Sequence, residues 1–117
     1  MEQQPNYNDL HVTAMKMASD ADMAVINNNE QLASDLRLQA AKLDEQSLEN
    51  TPRDLSRTRA VIGTSAVTLY FKAGDLANAK RLGEACLEEL DENYGYNRNE
   101  IKKVLEAVNQ SQASTDQ

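Results

Sequence analysis

Three kinds of side chain in this sequence could do chemistry: one histidine, one cysteine and a run of carboxylates. His11 has no second histidine with which to share a metal ion and no Glu-x-x-His neighbour. We therefore expect it to be a surface histidine or one at the start of a helix. Cys86 could act as a nucleophile only beside a base and with partial exposure.

The carboxylates cluster near one predicted helix end, at Glu84, Glu88 and Glu89, followed by Asp91 and Glu92. Paired carboxylates can exchange protons or bind Mg²⁺, but no nucleophile or phosphate-binding glycine loop accompanies these. We therefore expect no enzyme activity, no metal site and no cofactor. The cluster predicts a solvated acidic face that could meet a basic partner.

Length and charge narrow the class of protein. The chain has 117 residues, the size of one domain, and a net charge of −7. That charge argues against direct binding to nucleic acid, and no polybasic run favours a membrane surface. The sequence also lacks a long apolar stretch and a recognisable signal peptide, and one cysteine cannot form an internal disulfide. We expect a cytoplasmic protein.

The elements that would position these residues are helices. Five aromatic residues are too few for a typical β-sandwich, and apolar residues recur at helical spacing. The predicted fold is all-α with five helices, over 6–26, 30–47, 51–73, 76–91 and 98–109. The apolar spines include Val25 in helix 1 and Leu32 in helix 2, and helix 3 is apolar around much of its circumference, as expected of a central helix.

The helix boundaries rest on capping signals. These are Asn6 with Asp9, Asn28 with Gln31, the run Thr51-Pro52-Arg53-Asp54, the pair Gly74-Asp75, and Asn97 with Glu100. We expect a flexible N-terminus over 1–8, a single helical domain over 9–109 and a disordered tail over 110–117.

The segment 60–93 resembles a tetratricopeptide (TPR) repeat. Tyr70 and Phe71 occupy its aromatic position, Gly74-Asp75 its turn, and Ala79 and Cys86 its small positions. Gly63, Gly83 and Glu92 depart from the family pattern. The segment 14–47 fits more loosely, through Ala21, Ala33 and Ala40. An insertion over 48–59 would separate the two units and lengthen helix 3, and helix 5 would cap the array.

This resemblance implies a right-handed array of antiparallel helix pairs, although a simple helical bundle is an alternative. It implies a buried, inert Cys86; a redox-sensing thiol is the other interpretation. It also implies a non-enzymatic module that binds a protein or peptide on the concave face of helices 1 and 3. The predicted partner-binding residues there are Met15, Asp22, Val25, Thr64, Thr68, Phe71 and Lys72.

Tyr96 is a further candidate for partner binding, because a tyrosine in a loop offers a large contact area at low entropic cost. The leading hypothesis is a small adaptor, chaperone-like or regulatory protein. The alternatives are an acidic inhibitor or decoy that occupies a basic, nucleic-acid-binding surface, and an enzyme with a carboxylate site. Two repeats leave apolar ends uncovered, which makes a homodimer possible.

Overall fold

The chain is all-α in the computed structural model, which describes residues 6–115. The five helices in that range are α1 (Tyr7–Ile26), α2 (Glu30–Asn50), α3 (Ser56–Lys72), α4 (Leu76–Glu89) and α5 (Gly95–Thr115), with a 3-10 turn over Glu92–Tyr94. The predicted fold class and number of helices are confirmed. The first five residues of the predicted flexible N-terminus and the last two of the predicted tail lie outside the described range.

Two helical hairpins are closed by the same kind of turn. In the first, Asn28 adopts a left-handed φ of 61°, and in the second Gly74 has a φ of 86°. The residue after each caps the next helix: Asn29 Oδ1 accepts from Leu32 N and Asp75 Oδ1 from Asn78 N, both at 3.2 Å. The predicted Asn28 cap of helix 2 is therefore wrong by one residue, because the tight turn requires Asn28 itself.

The region predicted to begin helix 3 is a loop instead. Proline disfavours helical backbone in the residue before it, and Thr51 is extended, with a ψ of 128°. The Thr51 hydroxyl donates to Ser47 O at 2.7 Å, so it binds the end of α2. α3 then begins at Ser56 without a side-chain cap.

The extra residues between the predicted units lengthen α2 and not helix 3. α2 has 21 residues and α4 has 14. The difference of seven is close to two helical turns, at about 3.6 residues per turn, so the same face stays buried along the whole of α2.

α5 also differs from the prediction at both ends. The predicted Asn97–Glu100 capping box is wrong, because Asn97 lies in the first turn of α5 and donates from Nδ2 to Thr64 Oγ1 at 3.2 Å. The helix continues through 110–115, which were predicted to be a disordered tail.

Consecutive helices pack side by side, and α3 packs on α2, α4 and α5. It is the central helix, as its apolar circumference predicted. α1, α3 and α5 form one layer, linked by contacts such as Asn97–Thr64. α2 and α4 form the other, linked by the ion pair of Arg81 and Glu45 at 2.8 Å.

Small residues permit the close helix crossings. Ala14, Ala21, Ala33 and Ala40 are 0–1% exposed between α1 and α2. A Cβ at Gly63 would lie 2.9 Å from Cys86 Sγ, and one at Gly83 would lie 2.9 Å from Leu105 Cδ2. These approaches account for glycine at two positions that depart from the TPR pattern.

Two arginines close the ends of the second-layer helices. Arg59 of α3 is 6% exposed and donates to Leu48 O at 2.7 Å and Thr51 O at 2.8 Å, at the end of α2. Arg98 of α5 donates in the same way to Leu87 O and Leu90 O at the end of α4. The last carbonyls of both helices would otherwise lack partners within the helix.

Candidate partner-binding surface

Two of the predicted partner-binding residues, Val25 and Lys72, meet in a groove where α1 and α3 end and α2 begins. Its volume is about 430 Å³. Ser34 on α2 donates from its hydroxyl to Ala73 O at 2.9 Å, which holds the start of α2 against the end of α3. The groove combines the apolar side chain of Val25 with exposed charges of both signs, Lys72 and Glu30.

Asp22 lies near this groove but is already paired. Its Oδ1 accepts from Arg37 Nη2 at 3.0 Å, and Arg37 lines the groove. The Asp22 side chain is 69% exposed, so water screens the pair and it contributes little to stability. A ligand would meet a neutralised pair rather than a free carboxylate.

The other predicted residues on α1 and α3 are half-buried and engaged within the molecule. Thr64 Oγ1 donates to Ala60 O at 2.7 Å, and Thr68 Oγ1 donates to Thr64 O at 2.9 Å. Met15 and Phe71 pack against the core. Tyr96 is 76% exposed, but it lies in the first turn of α5. The neighbouring Asn97 contacts Thr64 of α3. Thr64 and Lys72 are about 12 Å apart along α3, at 1.5 Å per residue, so Tyr96 lies away from the groove that contains Lys72.

The structure exposes apolar side chains that the sequence analysis did not select. Ile26 is 70% exposed, Met23 54% and Leu32 45%, and Val25, which lines the groove with Lys72, is 40% exposed. Leu32 and Val25 were predicted to belong to buried spines, but no described helix covers this side of the first hairpin. We call Met23, Val25, Ile26, Leu32 and Lys72 the hairpin-tip surface.

The acidic face of α4 is partly neutralised from within. Glu89 accepts from Arg59 Nε at 2.7 Å and Nη2 at 2.8 Å, and from Arg53 Nη1 at 3.0 Å. The bond from Arg59 lowers the pKa of Glu89. Glu84 and Glu88 stay exposed, and Glu88 borders a cleft of about 520 Å³ between α2 and α4.

Cys86 lies at the base of that cleft and is 8% exposed, which confirms its predicted burial. Burial, assisted by the negative charge of Glu89, raises the pKa of this thiol to about 11. At neutral pH almost all of it is the unreactive thiol form.

Within residues 6–115 no three or more histidine, cysteine or carboxylate side chains are grouped so that they could hold a metal ion. No helix in that range is long and apolar enough to cross a membrane.

His11 is not a simple surface residue. Its Nδ1 lies 2.7 Å from Oδ1 of Asp44, and the Asp44 side chain is 0% exposed. Among the described groups, Asp44 Oδ2 has no hydrogen-bond partner. A buried carboxylate bound to one imidazole joins α1 to α2, and it was not predicted because its residues are far apart in sequence.

No known protein family, curated protein or solved structure matches this chain. The resemblance to TPR repeats therefore stays a prediction. The surfaces described above rest on the geometry of this chain alone.

Proposed function

We propose that this chain is a non-enzymatic protein-interaction module, in the class of small adaptor, chaperone-like or regulatory proteins. It binds a protein or peptide segment at the hairpin-tip surface, which lies on α1 and α2 and extends through Val25 to the end of α3. The observation that carries this proposal is the exposure of four large apolar side chains around one turn. Exposed apolar patches on small proteins commonly mark interaction sites.

A partner would gain free energy by covering the exposed apolar side chains. Burying one large aliphatic side chain contributes about 1.5–3 kcal/mol relative to leaving it in water. Ile26, Met23 and Leu32 together thus offer a useful apolar anchor. Lys72 lies at the Val25 edge of this anchor, in a groove that also contains the exposed Glu30, so a partner segment would meet charges of both signs there.

The cytoplasm is the compartment that we propose. The single cysteine supports it, because a reducing environment keeps such a thiol free.

The test is affinity purification with quantitative mass spectrometry, using Ile26→Lys. We expect this variant to lose the wild-type partner, since the lysine places a charge at the centre of the apolar anchor. Val12→Lys is the matched control: Val12 is 58% exposed on the same helix, about 21 Å away along its axis. Equal loss with both variants, or with neither, would contradict the proposed site.

The second candidate is an acidic inhibitor that occupies a basic, nucleic-acid-binding surface. It is favoured by the exposed carboxylates Glu49 and Glu88 along the cleft between α2 and α4. If it is correct, binding survives Ile26→Lys, is lost in 0.5 M salt, and weakens in Glu49→Gln/Glu88→Gln.

A further inference from the structure

A second cleft lies between the first turns of α1 and α3, at the opposite end of these helices from the hairpin-tip surface. Its volume is about 290 Å³. Its lining residues are Tyr7, Asn8, His11, Arg57, Thr58, Val61 and Ile62. A partly apolar cleft with a few converging polar groups is the usual form of a small-ligand site.

The charges around this cleft differ from those of the rest of the molecule. Two of its lining residues, His11 and Arg57, are basic, and none is a carboxylate, in a chain of net charge −7. Arg57 is exposed, and within residues 6–115 it forms no ion pair or side-chain hydrogen bond. Its guanidinium is free to bind an anion, and a carboxylate matches its planar donors.

The buried carboxylate of Asp44 orients His11, the other basic group of the cleft. Asp44 occupies Nδ1 of His11, so Nε2 is the ring nitrogen left for a ligand, and it donates to a carboxylate when it carries a proton. The imidazole is 23% exposed, which leaves it reachable from the cleft. A carboxylate whose side chain is 0% exposed is costly to bury, and such groups are concentrated at sites where orientation matters.

The remaining lining supplies an apolar floor. Val61 is 50% exposed and Ile62 is buried beside it. The first turn of α3 has no side-chain cap, so its backbone N–H groups are not satisfied by a side chain. Their partial positive charge favours an anion in the part of the cleft lined by Thr58. The apolar surface of Val61 and Ile62, bordered by the basic side chains of His11 and Arg57, matches a ligand that carries one anionic group on an apolar body.

We propose that this cleft binds a small carboxylate, with the carboxylate group held by Arg57 and His11 and the apolar body resting on Val61. This site is independent of the proposed partner-binding function, because it uses different residues at the other end of α1 and α3.

Benzoate is the probe for the test, and His11 is the reporter. His11 is the only histidine, so its ring Cε1–H gives one NMR signal. At constant pH we expect that signal to shift saturably with benzoate, and benzylamine and benzyl alcohol to have little effect. Equal shifts with all three would overturn the proposal, as would none with benzoate. Inorganic phosphate lacks an apolar body, so equal affinity for it would overturn the assigned role of Val61.

Two matched pairs of variants locate the binding. Arg57→Gln should weaken benzoate binding at least about fivefold through loss of a charged donor, whereas Arg53→Gln in the preceding loop should leave it unchanged. Val61→Glu should abolish binding, because it places a negative charge under the ligand, and Val61→Leu should retain it, because the floor stays apolar. Circular dichroism checks that all four remain folded. Unchanged affinity in both Arg57→Gln and Val61→Glu would overturn the site even if benzoate binds elsewhere.

Discussion

At the scale of single residues, the least expected feature is the pairing of His11 with the buried Asp44. Helical periodicity describes one helix at a time, so it gives no partner for His11. The partner could have been anticipated from the hairpin: His11 and Asp44 lie almost equally far from the Asn28 turn. Tyr7 and Ser47 are also almost equally far from that turn, and the Ser47 hydroxyl donates a hydrogen bond of 2.6 Å to Tyr7 O. The burial of a carboxylate there had no sequence signal.

Asp44 makes stability depend on pH with a definite sign. Burial raises its pKa above the ordinary 3.8, against the lowering effects of Ser65 and His11. The folded chain therefore binds this proton more tightly than the unfolded chain, and the resulting stabilisation is lost as the pH rises through the raised pKa. The substituted side chain of Asp44→Asn has no proton to lose, so the stability of this variant relative to wild type should increase as the pH rises above about 4. The gain is about 1.4 kcal/mol for each unit by which the pKa is raised.

Urea denaturation at several pH values measures this difference directly. Asp35→Asn, the same change at an exposed position of α2, is the control and should track wild type more closely. A difference between Asp44→Asn and wild type that is flat or falls with pH would show that Asp44 is not a strained buried acid.

At the scale of elements, the bodies of the helices were predictable and several of their ends were not. Apolar periodicity and the local caps at Asn6 and Asp75 depend on neighbours within a turn, and these predictions were confirmed. The end of α2 depends on Arg59, which arrives from the next helix. The local sequence Thr51-Pro52 predicted the start of a helix, but in the structure α2 ends there.

Arg59 should therefore matter more for stability than its position in a helix suggests. Arg59→Met keeps the length of the side chain but leaves Thr51 O without this donor, leaves Leu48 O with only the Thr51 N–H, and weakens the pairing of Glu89. We expect a loss of about 2–4 kcal/mol in the free energy of unfolding. Arg53 also pairs with Glu89, but its side chain is 83% exposed. Arg53→Met should therefore lower the free energy of unfolding by less than about 0.5 kcal/mol. Urea denaturation that gives similar losses for both would refute the capping role of Arg59.

The candidate partner-binding surface was only partly predictable for a related reason. Periodicity identifies apolar residues on a helix but not whether another helix covers them. Val25 and Lys72 were selected and do meet at one groove. Met23 and Ile26 became visible only when the structure showed that nothing described packs on that side of α1.

At the scale of the whole molecule, the two ends of the helical array differ in character. The outer face of α5 exposes Lys102, Lys103, Glu106 and Asn109, which suits a face that ends in water. The outer side of the first hairpin exposes Ile26 and Met23. Any further association of the array is therefore expected at α1 and α2 rather than at α5.

The predicted homodimer would use this apolar end. If it forms, light scattering at high protein concentration should give twice the chain mass, and Ile26→Lys should return the mass to that of one chain. Lys102→Gln on α5 should leave the dimer intact. A single-chain mass for wild type at high concentration would contradict the homodimer and leave the hairpin-tip surface available to a different protein.

The two arginine caps give the chain a direction of assembly. Each second-layer helix is completed by a residue from the helix that follows it, so neither hairpin holds all the groups that secure its own end. During synthesis from the N-terminus, α2 cannot gain its final cap until position 59 has left the ribosome, and α4 must wait for position 98. Cutting the chain between the hairpins would separate Arg59 from the end of α2. In the intact chain the two hairpins should therefore unfold together and not independently.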